Sequence, residues 1–243
     1  MAIIELTSLC VQSPTDCPSL QNVSLSVHRG ETVALLSTDG SAHLLLCALA
    51  GVLPVQEGNA QIFGYDLKTE QKKIARLLSL ATSEKTTSPM LTVKENLALL
   101  CRLHGKRKKE AADRACRLMA SFDLLEKANV LAKDLPLGHM RRLCVAQALA
   151  YDPAVLLLHD VTADLTFHQK RELLDVLTAQ KGKRAVVFSS SDPLVCTTLA
   201  DRIAIFANGK LLAFDTKQAL QAQTSAQTPH KACEILLGKE DLQ

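Results

Sequence analysis

The chain has 243 residues, 47% of them hydrophobic and 3% aromatic, with a formal net charge of +3. That is enough apolar material to fill one large α/β domain or two small ones, and too little charge to argue for nucleic acid as a partner. The longest apolar stretch, around Leu44 to Val55, is broken by Gly51 and Pro54 and falls short of the ~20 residues that cross a bilayer. No basic signal-peptide start is present, so neither a leader nor a membrane span is expected. The eight cysteines lie scattered without a CxxC pair. They suit buried thiols in a reducing compartment better than a disulfide framework or a zinc site.

Residues 2 to 11 and 22 to 28 read as strands, the second with clean period-two alternation. Gly30 opens the stretch GETVALLSTDGSAHLLLCALAG, which ends at Gly51. An apolar run, Val33 to Leu36, stops at a small polar turn and restarts as a helix-like segment from Leu44. A strand, a tight loop and a helix N-terminus in that order point backbone N–H groups at an anion, which is the geometry of a phosphate-binding loop. The lysine and hydroxyls that complete such a loop are missing, because His43, Leu44 and Leu45 stand in their places.

Short strands follow at Gln61 to Phe63 and Leu77 to Ala81, with Gly58, Gly64 and Asp66 marking turns. From Thr92 to about Ala150 the period is helical: Val93, Leu97 and Leu100 recur on one face, and later Leu118, Phe122 and Leu125. The basic run His104 to Lys109 between two of these helices reads as a solvated loop, with anionic headgroups as the lesser alternative. It has no interleaved aromatic residue on which a base could stack. Strand-helix alternation returns after Pro153, with strands at Ala154 to Leu158, Ala185 to Phe188 and Arg202 to Phe206, and helices at Gln169 to Ala179 and Pro193 to Ala200. Continuous apolar strands of this kind fit a parallel sheet covered on both faces. Asn208-Gly209 signals a hairpin to Lys210 to Phe214. The remainder is helix-prone from Thr216, loosens at Gln223 to Thr228 and ends in a short amphipathic piece, Ala232 to Leu237.

Over residues 2 to about 220 the chain resembles the nucleotide-binding domain of ABC transporters, most closely the type that pairs with ABC-2-like permeases. The matches are Gly30 to Leu36 before Walker A, Leu91 to Leu97 at the start of the helical subdomain and Ala146 to Leu158 leading into Walker B. Leu199 to Ala204 matches the strand after the switch, and Asn208 to Lys210 the final hairpin. The resemblance implies a P-loop NTPase fold of the ABC ATPase kind: a mostly parallel core sheet, an N-terminal antiparallel β subdomain and a helical insertion. It implies one domain over residues 1–220, with the helical subdomain at about 90–150, and a tail over 221–243.

Mapped position by position, the family's site residues are largely replaced. Cys10-Val11 stands at the adenine-stacking aromatic; Ser37, Gly40 and Ala42 stand at the Walker A glycines, with Asp39 and Ser41 between them. His43 takes the lysine position, and a histidine of ordinary pKa is mostly neutral at pH 7. Sliding the register by one puts Ala42 there instead. Ser83 occupies the glutamine position. The LSGGQ signature becomes Leu135-Pro136-Leu137-Gly138-His139, in which Pro136 has no N–H and Leu137 adds bulk. His159 and Asp160 stand for the metal-binding aspartate and the glutamate base, or Asp160 and Val161 in the alternative register. Thr166 replaces the D-loop aspartate and Ser191 the switch histidine.

Hydrolysis rests on charge neutralisation and positioning, so these replacements predict a catalytically inactive subunit with no catalytic residue. The expected role is scaffold or regulator of an ABC-type transport complex, docking a permease and/or a competent ATPase subunit, or pairing with a second copy of itself. The alternative is a nucleotide sensor that does not hydrolyse. No cofactor is expected, ATP and Mg²⁺ included; a metal site from His43, His139 and His159 is the weaker reading. The permease groove is expected around Ser83, Val93 and Leu97, and the protein at the cytoplasmic face of the membrane.

Overall fold

Successive residues of a strand point to opposite faces of its sheet, and the two cores of this protein follow from that alternation. The structure, a computed structural model, describes residues 2–14, 18–82 and 87–238. The chain runs β1 (Ala2–Val11), β2 (Leu20–His28), β3 (Thr32–Leu36), α1 (Ser41–Leu49), β4 (Glu57–Ile62), β5 (Tyr65–Asp66), α2 (Gln71–Ile74) and β6 (Leu78–Thr82). A helical arm follows, with α3 (Val93–Leu103), α4 (Lys108–Ser121) and α5 (Leu137–Ala148). The chain then returns through β7 (Val155–His159), α6 (Phe167–Thr178), β8 (Ala185–Ser190), α7 (Pro193–Leu199), β9 (Arg202–Ala207) and β10 (Lys210–Thr216), closing with α8 (Lys217–Thr224) and α9 (Pro229–Gly238).

Four strands form an antiparallel sheet in the order β2-β1-β4-β5, and six form the order β10-β9-β3-β8-β7-β6. In the larger sheet β9 pairs with β3, β3 with β8, β8 with β7 and β7 with β6 in parallel, while β10 pairs antiparallel with β9. Along β7, Leu156 and Leu158 join the core shared with the helical arm, whereas Val155 and Leu157 join the core shared with α1 and the antiparallel sheet. Both faces of the central strands are therefore covered, as their unbroken apolar sequences require.

Local sequence sets the boundaries of the helices. Thr92 caps α3 through a reciprocal pair of bonds: Thr92 N donates to Glu95 Oε2 at 2.8 Å, and Glu95 N donates to Thr92 Oγ1 at 3.2 Å. Replacing Thr92 by alanine is expected to cost about 1 kcal/mol, measured as a lower urea midpoint at unchanged slope. Asp192 caps α7, with Pro193 in the first turn where its missing N–H leaves no bond unmade.

Two sequence expectations shift in register. Gly58 lies inside β4, not at a turn; it faces a bulge in β1, where Ser8 and Leu9 oppose it, and with φ +78° it has the Ser8 carbonyl 2.2 Å from where a Cβ would sit. Asp123 adopts φ +51° just after α4, so Leu124 is buried and Leu125 is 51% exposed, reversing the expected assignment. At the other end, α9 packs on α7, and Ala232, Cys233 and Leu236 enter the main core. Arg142 of α5, 3% exposed, ties the arm to α6: it donates to Asp123 at 2.9 Å and pairs with Glu172 of α6.

Candidate functional site

The parallel strands β3, β7 and β8 end together, and the loop after each contributes to one cavity of about 240 Å³. Ser37, Thr38, Gly40, Ala42 and His43 line it from the first loop, His159 and Asp160 from the end of β7, and Ser189, Ser190 and Ser191 from the end of β8. Gly40 caps α1 at φ +87°, a conformation in which a Cβ is disfavoured, and Leu44 N closes the first helical turn on the Gly40 carbonyl at 3.0 Å.

The loop's polar groups bind one another. Ala42 N donates to Ser37 Oγ at 3.1 Å, and Ser41 N donates to Asp39 Oδ1 at 2.9 Å, which places a carboxylate at the positive end of α1. Asp39 Oδ2 is buried without a partner. The Ser41 hydroxyl accepts from Gly209 N at 3.1 Å, tying the helix to the final hairpin. Leu44 is buried in the core beneath the loop.

Across the cavity the imidazoles of His43 and His159 lie against each other, with ring centroids 3.9 Å apart and planes tilted by 35°. His159 Nδ1 is 2.8 Å from Ser189 Oγ, which also accepts from Asp160 N at 3.2 Å. Burial first, and the facing His43 second, push the His159 pKa down to about 4, so this ring is neutral at pH 7. Asp160 has φ +46°, and burial raises its carboxyl above the usual range against the opposing pull of Arg141. It is the one carboxylate-bearing residue among the cavity's described lining.

The other sequence-marked positions lie apart from this cavity. Pro136 caps α5, and Leu137, Gly138 and His139 form its first turn; a Cβ on Gly138 would come within 3.1 Å of Gln169 on α6. Burial lowers the His139 pKa, with Arg142 adding to it. His139 does not join the other two histidines, and no group of three or more His, Cys, Asp or Glu among the described residues is arranged to hold a metal ion. Thr166 caps α6, accepting from Gln169 N at 3.4 Å. Ser83 lies outside the described residues. Val93 and Leu97 are fully buried in the main core, so they shape the arm from inside and offer no surface to a partner, contrary to the expected groove lining.

Sequence reasoning missed Thr38, Ser189 and Ser190 as lining residues. A signal was present: the hydroxyl run 189–191 follows an apolar strand abruptly, as polar residues do at the mouth of a parallel sheet. A larger cavity of about 480 Å³ between α6 and α7, walled by Phe167, Leu174, Leu194 and Val195, contains none of the marked positions.

The sequence profile of the family described as ABC transporter matches residues 20–163, more than half of the chain. ATP-binding cassette sub-family A member 10 of Homo sapiens is 29% identical over 196 residues, covering 79% of this chain and 13% of that protein. ABC transporter ced-7 of Caenorhabditis elegans is 28% identical over 212 residues, covering 87% of this chain and 12% of that one. The chain thus spans a small fraction of the length of these curated relatives. A solved ATP-binding subunit of an ABC transporter superposes with a TM-score of 0.82 at 20% identity, covering 96% of this chain and 99% of that one. A dimeric ATP-binding cassette in a post-hydrolysis state, bound to ADP and Pi, superposes at 0.77 and 21% identity, covering 88% and 98%. The fold is therefore that of the ABC ATPases, a P-loop NTPase with an added antiparallel subdomain and helical arm. These findings overturn the expectation of a chain without nucleotide: the matched family is one of ATP-binding domains, and one of the solved neighbours holds ADP and Pi. The cavity fits the phosphate end of such a ligand through its hydroxyls, which can donate to phosphate oxygens. This chain belongs to the ABC transporter family as one of its nucleotide-binding domains.

Proposed function

We propose that this protein is a regulatory or scaffolding nucleotide-binding subunit of an ABC-type membrane transport complex, holding nucleotide phosphates in the loop cavity with little or no hydrolysis. The observation that carries this reading is the His43–His159 ring pair at 3.9 Å, which faces the loop where family members place a lysine and a metal-bound carboxylate. A neutral His159 neutralises no phosphate charge, and a single Asp160 with a raised pKa is a weak ligand for Mg²⁺. The hydroxyls of Ser37, Thr38 and Ser189 to Ser191 support phosphate binding. Mg²⁺ bound with the nucleotide would take Asp160 as its protein carboxylate. The partners that fit are a permease, with a competent ATPase subunit or a second copy of this chain completing a dimer at the cytoplasmic membrane face.

Phosphate release from millimolar MgATP tests the reading, run beside equilibrium binding of labelled ATP. Turnover is expected at least ~100-fold below that of a family member with a complete set of phosphate and metal ligands, since each lost charge-stabilising group costs about that much. Turnover within tenfold of such a relative, abolished by Asp160→Asn, would overturn it.

A further inference from the structure

Four cationic side chains gather at the opposite end of the parallel sheet from the phosphate loop, around a cavity of about 190 Å³. Arg114 and Arg117 reach it from α4, and Lys183 and Arg184 from the turn that leads into β8. Leu118, Phe122 and Leu149 supply its apolar lining.

Two of the four are held in place. Arg114 Nη2 donates to the Leu149 carbonyl at the end of α5 at 2.7 Å, and Arg184 Nη1 donates to the Pro153 carbonyl at 3.0 Å. Both also reach Asp152 Oδ1, at 3.3 and 3.0 Å, so two guanidinium groups share one carboxylate. The Nε atoms of Arg114 and Arg184 are buried and have no partner. Arg117 and Lys183 make no ion pair or side-chain hydrogen bond among the described residues. Gln180 also lines the cavity. Four positive charges against one carboxylate, two of them with orphaned Nε–H donors, form a donor set without its acceptor.

We propose that this cavity is a second anion site, separate from the nucleotide cavity, that takes a phosphate group. Guanidinium forks match two phosphate oxygens at once, and Lys183 adds a mobile point charge. The volume equals about six waters at ~30 Å³ each, which suits one phosphate group and excludes a nucleoside. The phosphate belongs either to a small soluble ion or to a phospholipid headgroup.

The test uses the full chain at low ionic strength. Calorimetric titration with inorganic phosphate and pyrophosphate forms one arm, and flotation with phosphatidic acid vesicles against pure phosphatidylcholine forms the other. Binding is expected in at least one arm: the first alone assigns a soluble ion, the second alone a headgroup. The double variant Arg117→Ala/Lys183→Ala, which removes two unpaired cations at the cavity rim, should keep the wild-type melting temperature and weaken binding at least about tenfold. Lys108→Ala/Lys109→Ala, which removes two exposed cations that line neither cavity, should bind like the wild type. No binding in either arm, wild-type binding by the cavity double variant, or an equal loss in the Lys108→Ala/Lys109→Ala control would each overturn the proposal.

Discussion

On acidification from pH 7 to pH 5 the protein is expected to lose about 2 kcal/mol of stability that a His159→Gln variant retains. His159 is folded in as a neutral ring, because burial and then His43 lower its pKa from 6.5 to about 4. Between those two values the unfolded chain binds a proton that the folded chain refuses. The stability tied to the neutral ring is complete above pH 6.5, falls as the pH drops, and is exhausted near pH 4. Asp160 acts with the opposite sign, since a carboxyl raised by burial binds its proton more readily in the folded state. An Asp160→Asn variant, measured beside the other two proteins, separates its contribution from that of the histidine. Urea midpoints of both proteins at the two pH values measure the difference, and parallel losses in wild type and variant would remove His159 as the cause.

Replacing Phe122 by alanine is expected to cost about 3–5 kcal/mol, because it removes a large ring from a close-packed site. Phe122 is fully buried at the end of α4, in the cluster that holds Leu97, Leu118 and Leu143 and joins the arm to the sheet. Leu125→Ala is the control: that side chain is 51% exposed, and its loss should change stability by about 0.5 kcal/mol or less. The pair also tests the register after α4, since a helix continued on its earlier period would make both substitutions costly. Urea denaturation of the two variants, followed by circular dichroism, provides the comparison.

The strands were legible because their chemistry is unambiguous: Val33 to Leu36 and Val155 to Leu158 are apolar throughout and lie covered on both faces. The arm was legible through its helical period until Asp123, where a left-handed residue that no periodicity announces shifted Leu124 inward and Leu125 outward. At the site, Ser37, Gly40, His43, His159, Asp160 and Ser191 line one cavity, a grouping that the resemblance to the ABC nucleotide-binding domain implied. The contact between the two imidazoles and the Ser189 bond to His159 depend on side-chain directions that sequence spacing leaves open. Val93 and Leu97 show the converse: helical period identified them as a face, but only the packing against α4 and α5 showed that the face is the buried one.

The hydrogen bonds inside the phosphate loop also bear on how such a sequence can change. Ser37 serves the Ala42 amide, Asp39 serves the Ser41 amide, and the Ser41 hydroxyl serves Gly209. A substitution of Ser37 to glycine strips the Ala42 amide of its acceptor, at a cost of about 1 kcal/mol, while His43 is still in place and no lysine is there to benefit. The same holds for exchanging Asp39 or Ser41 alone. These three bonds therefore hold the loop's shape, and Ser37, Asp39 and Ser41 each resist replacement one at a time.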